Sequence, residues 1–458
     1  MSTYLTRTTG TPTNAKKWTI SFWIKISAKF SEAEDVVYVG TDASNEVLLH
    51  RLETDGTLSS KEDTSAVNTV WRIGNQTTLF RDPNGWQHWV YAFDSTQSTD
   101  TDRLKVYING VDRRTVETLT NDTKVPLNHE AIINKSGYIF TLGRRTYNTD
   151  NYFKGSLSHV HFIDGIQYDA STFGSTDSTT GEWKINTNPT ISDYGNNGFF
   201  ILKDGNSVTD QSGKGNNFTA YGNLTKTEDC PSNVFCTMNP LDNYYQGSTF
   251  SNGNNTVVSG SSSTTFNTST LMMTSGKFYA EVKLSGSATC DIGITGERTG
   301  SSSSSLAGRY SGWSYRDSGS VSNNGSSVGG TWSSYSNGDI IGIAVNLDDT
   351  QGGLNKLYFS KNGVWQNGAD PSNHSSTTGV VGITAPSNLT GDNSQGAYAF
   401  TMGETWNDNT RTFEWNFGNG YFGTTAVSSA GTNASGNGIF EYDVPTGFTA
   451  LSTKGLNE

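Results

Sequence analysis

A chain of 458 residues is too long for one hydrophobic core, so two or three domains are expected. Its net charge of −12, with no basic stripe, excludes nucleic acid as a partner, and no apolar run approaches the roughly 20 residues of a membrane span, so no membrane insertion is expected. Only 33% of residues are apolar, yet 11 Trp, 22 Phe and 20 Tyr exclude a disordered chain.

Strand signals begin early. Trp18, Ile20, Phe22, Ile24 and Ile26 share one face of a period-two run, with Thr19, Ser21 and Lys25 on the other. Trp89, Tyr91 and Phe93 alternate next. Leu104, Val106 and Ile108 then run into Asn109-Gly110. Asn and Gly best tolerate the positive φ that both central residues of a type I′ turn need, so a β-hairpin is expected here. Strands follow at 137–143 and 153–165. In the latter, Leu157 falls out of phase with Val160 and Phe162, which predicts a β-bulge near Ser158. Residues 176–242, including Gly198-Phe-Phe-Ile-Leu202, are read as connecting strands that pack on the first sandwich.

From Asn243 to Ser269 the chain is rich in Gly, Ser, Thr and Asn, which predicts a loop or inter-domain seam. Phe278, Ala280, Val282 and Leu284 then share a face. Leu357-Tyr-Phe-Ser-Lys-Asn-Gly363 repeats the hairpin signal, and Thr412-Phe-Glu-Trp-Asn-Phe-Gly418 lies near the end. Cys230, Cys236 and Cys290 lack a CxxC spacing and support neither a disulfide framework nor a zinc site. The N-terminus shows no apolar signal region, so reduced thiols in a protein made in a cytoplasm are expected.

Four pieces in order resemble the laminin-G-like, concanavalin-like jelly roll: Thr19-Ile-Ser-Phe-Trp-Ile-Lys25, Trp86-Gln-His-Trp-Val90, Leu104-Lys-Val-Tyr-Ile-Asn-Gly110 and Gly155-Ser-Leu-Ser-His-Val-His-Phe162. Ser275-Gly-Lys-Phe-Tyr-Ala-Glu-Val282, Gly312-Trp-Ser-Tyr-Arg316, Gly338-Asp-Ile-Ile-Gly342, the second hairpin and Asn416-Phe-Gly418 resemble a SPRY domain, with added Ser/Gly/Asn loops at 299–336 and 424–438. The expected fold class is therefore all-β, two tandem jelly-roll β-sandwiches. A laminin-G-like sandwich spans 1–175, connecting strands 176–242, and a SPRY-like sandwich with long loops and a C-terminal extension 243–458.

With Ser232-Asn-Val-Phe-Cys-Thr-Met-Asn-Pro-Leu241 and Pro445-Thr-Gly-Phe-Thr-Ala-Leu451, the combination resembles structural proteins of tailed bacteriophages. That resemblance implies a non-enzymatic virion protein, a surface decoration, fibre or adaptor on the head or a tail appendage. Its partners would be other virion proteins and host cell-surface glycans. The alternatives are a tail-fibre or tailspike receptor-binding protein and a glycoside hydrolase. The first sandwich strand starts near Trp18 and no heptad stretch occurs, so attachment through a folded surface is expected. Repeated weak contacts then favour a closed homo-oligomer, with a trimer preferred.

A glycanase needs two carboxylates flanking the scissile bond, and the spacing Glu-x-Asp-x-x-Glu is absent. Glu46, Glu53 and Asp63 are read as solvated turn or rim residues, and no catalytic residue is expected. His159 and His161 lie two apart and are read as solvated strand surface, with a metal site as the alternative. Asp210, Ser212 and Asn216 sit in an oxygen-rich, glycine-rich loop that is a candidate calcium site, weighed against an Asx turn. No other cofactor is expected. Arg309, Tyr310, Trp332 and Tyr335 are candidate ligand or partner contacts, because exposed aromatics stack on sugar rings and Arg fixes hydroxyls. The same rings could instead be core. Recognition is expected on the loops of the second sandwich and docking on the first.

Overall fold

The computed structural model describes residues 3–27, 32–74, 78–117, 119, 121–147, 150–203, 207–243, 247–260, 264–287, 289–298, 306–348, 354–390, 394–406 and 409–457. The chain divides into two compact units, Met1–Lys226 and Thr227–Glu458. Both are all-β, and the α-helix Arg113–Val116 is a single turn of four residues.

In unit 1 the strands are β1 (Tyr4–Thr8), β2 (Lys17–Ile26), β3 (Glu34–Asp42), β4 (Asn45–Leu52), β5 (Leu58–Thr64), β6 (Val67–Gly74), β7 (Gln87–Asp94), β8 (Leu104–Ile108), β9 (Val111–Asp112), β10 (Asn121–Thr123), β11 (Ile139–Leu142), β12 (Gly155–Asp164), β13 (Gly174–Thr176), β14 (Trp183–Ile185), β15 (Phe199–Ile201) and β16 (Thr219–Tyr221). Among the described residues, sheet I has the order β10-β6-β5-β4-β3-β11-β1-β16 and sheet II the order β15-β12-β2-β7-β8-β9. The alternation read from the sequence explains the core. Trp18, Ile20, Phe22 and Ile24 of β2 and Trp89, Tyr91 and Phe93 of β7 meet Val37, Val39, Val47, Leu49, Trp71 and Ile73 from sheet I. Each such side chain contributes about 1.5–3 kcal/mol by leaving water. The first and last strands of the unit lie side by side, with Tyr4 opposite Tyr221.

The first hairpin has the expected geometry, with φ of 46° at Asn109 and 79° at Gly110. Asn109 Oδ1 also accepts from His88 N at 2.8 Å, tying the turn to the neighbouring strand. The bulge is present: the β12–β2 register shifts between Ser158 and His161, and His159 has φ of 48°.

His159 and His161, read as solvated, are buried. The segment that follows β12 folds back over the outer face of sheet II, where Phe173, Trp183 and Tyr194 pack around Val90 and Ile163. His161 stacks on Phe200 at 3.8 Å and its Nδ1 bonds the Tyr194 hydroxyl at 2.9 Å. His88 on the same face takes Trp183 Nε1–H on its Nδ1 at 3.0 Å and bonds Ser21 Oγ at 2.8 Å. Periodicity showed which side these histidines face but not that later residues would cover it.

In unit 2 the strands are β17 (Thr249–Ser251), β18 (Thr256–Val258), β19 (Thr265–Thr268), β20 (Lys277–Gly286), β21 (Thr289–Glu297), β22 (Gly312–Arg316), β23 (Ser320–Asn323), β24 (Ser326–Val328), β25 (Ile340–Asn346), β26 (Asn355–Lys361), β27 (Val364–Trp365), β28 (Val381–Ile383), β29 (Ser394–Trp406), β30 (Arg411–Asn416), β31 (Tyr421–Phe422), β32 (Thr425–Ala426) and β33 (Thr449–Ala450). Sheet III runs β17-β18-β30-β20-β25-β26-β27, with β28 on β26 and β33 on β20; sheet IV runs β19-β29-β21-β22-β23-β24. The second hairpin repeats the first, with φ of 49° at Asn362 and 79° at Gly363 and Asn362 Oδ1 accepting from Ile340 N at 2.8 Å. The outer face of sheet III is covered by the C-terminal segment, where Phe440 and Phe448 pack on Tyr279 and Tyr358.

Two boundaries need correction. The described part of 243–269 is not a seam: it supplies β17, β18 and β19, and Val257 and Phe266 are buried. These strands lack apolar alternation because short polar side chains hold them. Ser248 Oγ donates to Asn267 Oδ1 at 2.7 Å, and Asn267 Nδ2 donates to the Asp242 carbonyl at 3.1 Å. The connecting region 176–242 divides at Lys226, because Cys236 and Met238 belong to the second core and Cys236 N donates to the Leu451 carbonyl at 2.9 Å.

Candidate functional site

The outer face of sheet I carries a charged floor. On β5, Leu58, Ser60 and Glu62 point inward, where Ser60 meets Tyr91 and Glu62 accepts from Trp71 Nε1, so Ser59, Lys61 and Asp63 point outward. Register places Glu46 opposite Asp63 and Gly40, and Lys61 opposite Arg72. On β4 a second irregularity intervenes: His50 has φ of 57° and lies in the core against Phe22 and Trp89, and the β4–β5 register shifts between Leu48 and Arg51. That shift turns Arg51 outward beside Asp35 of β3.

The floor is wired by ion pairs. Lys61 Nζ bridges Glu46 Oε1 at 2.9 Å and Asp63 Oδ2. Arg145 Nε donates to Asp35 Oδ2 at 2.8 Å, and Arg145 also donates to the Tyr147 hydroxyl at 2.6 Å. The Tyr147 hydroxyl donates to Glu46 Oε2 at 3.3 Å, and its ring stands edge-on to Tyr38 at 5.8 Å. Arg51 Nε lies 3.3 Å from Glu53 Oε1. Burial pushes the Asp35 carboxyl up despite Arg145 beside it, and burial with Asp35 and Asp55 nearby pushes Glu53 up. Burial opposes the Lys61 charge, but its two carboxylate bonds outweigh this and hold the ammonium above its ordinary range.

Four buried polar atoms on this floor make no hydrogen bond among the described residues: Asp35 Oδ1 and Arg51 Nε, which are ion-paired to each other at 3.8 Å, and Asp63 Oδ1 and Arg72 Nε. Two are acceptors and two are donors. Tyr147, 38% exposed, meets this floor at Arg145 and Glu46. On the other side of the loop that carries Tyr147, Tyr221 stacks on Tyr4 at 4.7 Å and the Arg144 guanidinium lies 3.6 Å from the Tyr4 ring centre. This second cluster is aromatic, with Tyr221 exposed.

Residues 2–171 match the Concanavalin A-like lectin/glucanases superfamily model. No curated protein sequence matches the chain. Among solved structures, the SPRY domain of human HERC1 is similar at 17% identity, covering 39% of this chain and 96% of that one with a TM-score of 0.28. A heptameric SAP-like pentraxin from Limulus polyphemus is 15% identical, covering 36% and 72% with a TM-score of 0.26. Domain 4 of an extracellular GH43 arabinanase from Geobacillus stearothermophilus, solved with arabinotriose, is 20% identical, covering 33% and 63% with a TM-score of 0.24.

The residues singled out from sequence fare differently. Trp332 and Tyr335 are core, 9% and 4% exposed, not loop contacts. The segment bearing them folds onto Tyr315 and Phe359, and the Tyr335 hydroxyl donates to the Tyr315 carbonyl at 2.7 Å. Both rings complete a core shared with aliphatic residues such as Ile292, Val321, Ile341 and Leu357. Arg309 is also buried, over the Phe266 ring at 4.6 Å and 3.7 Å from Glu297. Tyr310 alone of the four stays open, at 56%. Residues 299–305 of the proposed binding loops lie outside the described residues.

The candidate calcium loop is closed by its own hydrogen bonds. Asp210 Oδ1 accepts from Phe200 N and Ser212 N, and its Oδ2 from Ser212 Oγ and Asn216 N, all at 2.8–2.9 Å. Asn216 Oδ1 accepts from Arg7. A cation would have to displace these donors, so this is an Asx-type turn. Glu46 and Asp63, read as solvated, are floor residues of the sheet I site. The period-two placement of Lys61 and Asp63 could have signalled this face, but the His50 irregularity hid its β4 half.

Proposed function

We propose that the chain is a non-enzymatic, carbohydrate-binding structural protein whose sugar site is the outer face of sheet I beside Tyr147. The observation that carries this reading is a buried acceptor, Asp63 Oδ1, and a buried donor, Arg72 Nε, each without a hydrogen-bond partner among the described residues, on a charged face that the exposed Tyr147 ring joins through Glu46. Sugar hydroxyls both donate and accept, and a ring face packs on an aromatic side chain. The match of residues 2–171 to a lectin/glucanase family supports it. Binding is favoured over hydrolysis because the Lys61 ammonium bridges Glu46 and Asp63, occupying the space between them where a scissile oxygen would sit.

The setting we propose is the surface of a phage particle, as a decoration, fibre or adaptor protein held by other virion proteins and assembled as a closed oligomer, a trimer by preference. This part rests on the sequence resemblance. A glycan microarray probed with the full chain tests the binding reading: Tyr147→Ala should lower the signal of bound glycans at least about tenfold. Unchanged binding in that variant would remove the site. A density map of the particle would test the setting.

A further inference from the structure

We infer that the sheet I face selects an uncharged glycan and rejects acidic ones; this deepens the carbohydrate reading above and rests on it. Four carboxylates, Asp35, Glu46, Glu53 and Asp63, share the floor with four cations, Arg51, Lys61, Arg72 and Arg145. Arg145 pairs with Asp35 at 2.8 Å, Lys61 with Glu46 at 2.9 Å, and Arg51 with Glu53 at 3.3 Å. Arg72 acts on Glu53 through space. The formal charges of these eight groups cancel, and Asp55 beside Glu53 and Asp150 beside Asp35 add negative charge at the rim, so nothing remains to attract an anion.

What remains unspent is hydrogen-bonding capacity of both senses. Asp63 Oδ1 needs a donor and Arg72 Nε an acceptor, whereas Asp35 Oδ1 and Arg51 Nε already face each other at 3.8 Å. A hydroxyl supplies both, and adjacent hydroxyls on one ring supply them at neighbouring points. A carboxylate or sulfate supplies acceptors only. It would satisfy an arginine but set a second negative charge against Asp63, which is 8% exposed and poorly screened. An amino sugar would meet the reverse problem at Arg51 and Arg72. Tyr147 is held upright at its hydroxyl by Arg145 and Glu46, so its ring is a fixed wall and loses little freedom when a sugar packs on it.

The test is affinity electrophoresis of the full chain through gels holding a neutral polysaccharide (dextran, galactomannan or arabinan), an acidic one (alginate) or a cationic one (chitosan). Retardation is expected only by neutral polymers, with less than about twofold change in affinity between low and high salt, because no ions are exchanged. Asp63→Asn keeps the side-chain shape but leaves the floor one positive charge in excess. It should weaken neutral binding about tenfold and allow salt-sensitive retardation by alginate. Tyr310→Ala, on the other unit, should change neither. Retardation of the unsubstituted chain by alginate or chitosan, lost in high salt, would overturn the neutral-ligand inference while leaving carbohydrate binding standing. Retardation by no polysaccharide would overturn both.

Discussion

In unit 1 the segment that covers a sheet is fastened to imidazoles; in unit 2 the corresponding cover is fastened to a carboxylate. Trp183 and Tyr194 reach His88 and His161 through their side chains. Glu281, by contrast, accepts from the backbone N–H of Glu441 and Tyr442, both at 2.9 Å, and from the Tyr279 hydroxyl at 3.0 Å. Each cover also lays an aromatic ring over its hairpin glycine. A Cβ on Gly110 would lie 2.3 Å from the Trp183 ring, and one on Gly363 would lie 2.6 Å from Tyr442. The same need, sealing the outer face of a sheet beside an Asn-Gly turn, is therefore met by side-chain pairs in one unit and by backbone N–H groups converging on one carboxyl group in the other. Backbone donors do not depend on which residues the covering segment carries.

The largest expected effect comes from removing those anchors. Glu281→Ala leaves several buried donors without an acceptor and should cost unit 2 about 3 kcal/mol, whereas His88→Ala breaks two neutral bonds and should cost unit 1 about 1–2 kcal/mol, read as shifts in urea midpoints. A greater loss in His88→Ala would invert the comparison. Next come the glycines. Gly110→Ala drives a methyl into Trp183, whose indole is already tied to His88, for about 2 kcal/mol. Gly363→Ala meets the half-exposed Tyr442 ring, which can turn aside, and should cost about 1 kcal/mol.

Acid should act on the two covers in opposite directions. Burial lowers His88 to about 3, so the unfolded chain binds its proton more readily, and the stability it lends is present above pH 6.5 and fades as pH falls below that. His161 is lowered for the same reason, burial, aided by His159 and His88. Burial raises Glu281 to about 7 against its hydrogen-bond donors, so here the folded state binds the proton more tightly and stability grows as pH falls from 7 toward 4.5. Hydrogen exchange, corrected for intrinsic rates, should quicken at 183–202 and slow at 439–450 between pH 7 and 5. Parallel changes in both segments would defeat the contrast. The last effect concerns Trp332, whose Nε1 has no hydrogen-bond partner among the described residues. Trp332→Phe should cost less than about 1.5 kcal/mol and leave polysaccharide retardation unchanged.

Particular residues explain what was legible in the sequence. Asn109-Gly110 and Asn362-Gly363 were readable because positive φ at two successive positions restricts residue choice so strongly. The bulge near Ser158 was readable because one apolar residue fell out of phase. Strands β17–β19 were not, because their stabilising partners include Ser, Thr and Asn side chains that read as loop. The sheet I site was half visible: Lys61 and Asp63 alternate cleanly on β5, but β4 contributes Glu46 and Arg51 across the irregularity at His50. Trp332 and Tyr335 misled because aromatic residues diluted by Ser and Gly look the same whether they serve a core or a surface.

The pairing of first and last strands bears on how the protein is made. Tyr4 lies against Tyr221 in unit 1, and Cys236 bonds Leu451 in unit 2, so each sandwich is closed by its own two ends. Neither can complete its sheets until nearly its whole length has left the ribosome, and the loop entropy of joining such distant segments slows closure. Each nascent unit would therefore spend its synthesis with strand edges unpaired, the condition most prone to mispairing with a neighbouring copy. Truncating β16 should leave unit 1 slow to fold and prone to aggregate during synthesis, even though those three residues bury little themselves.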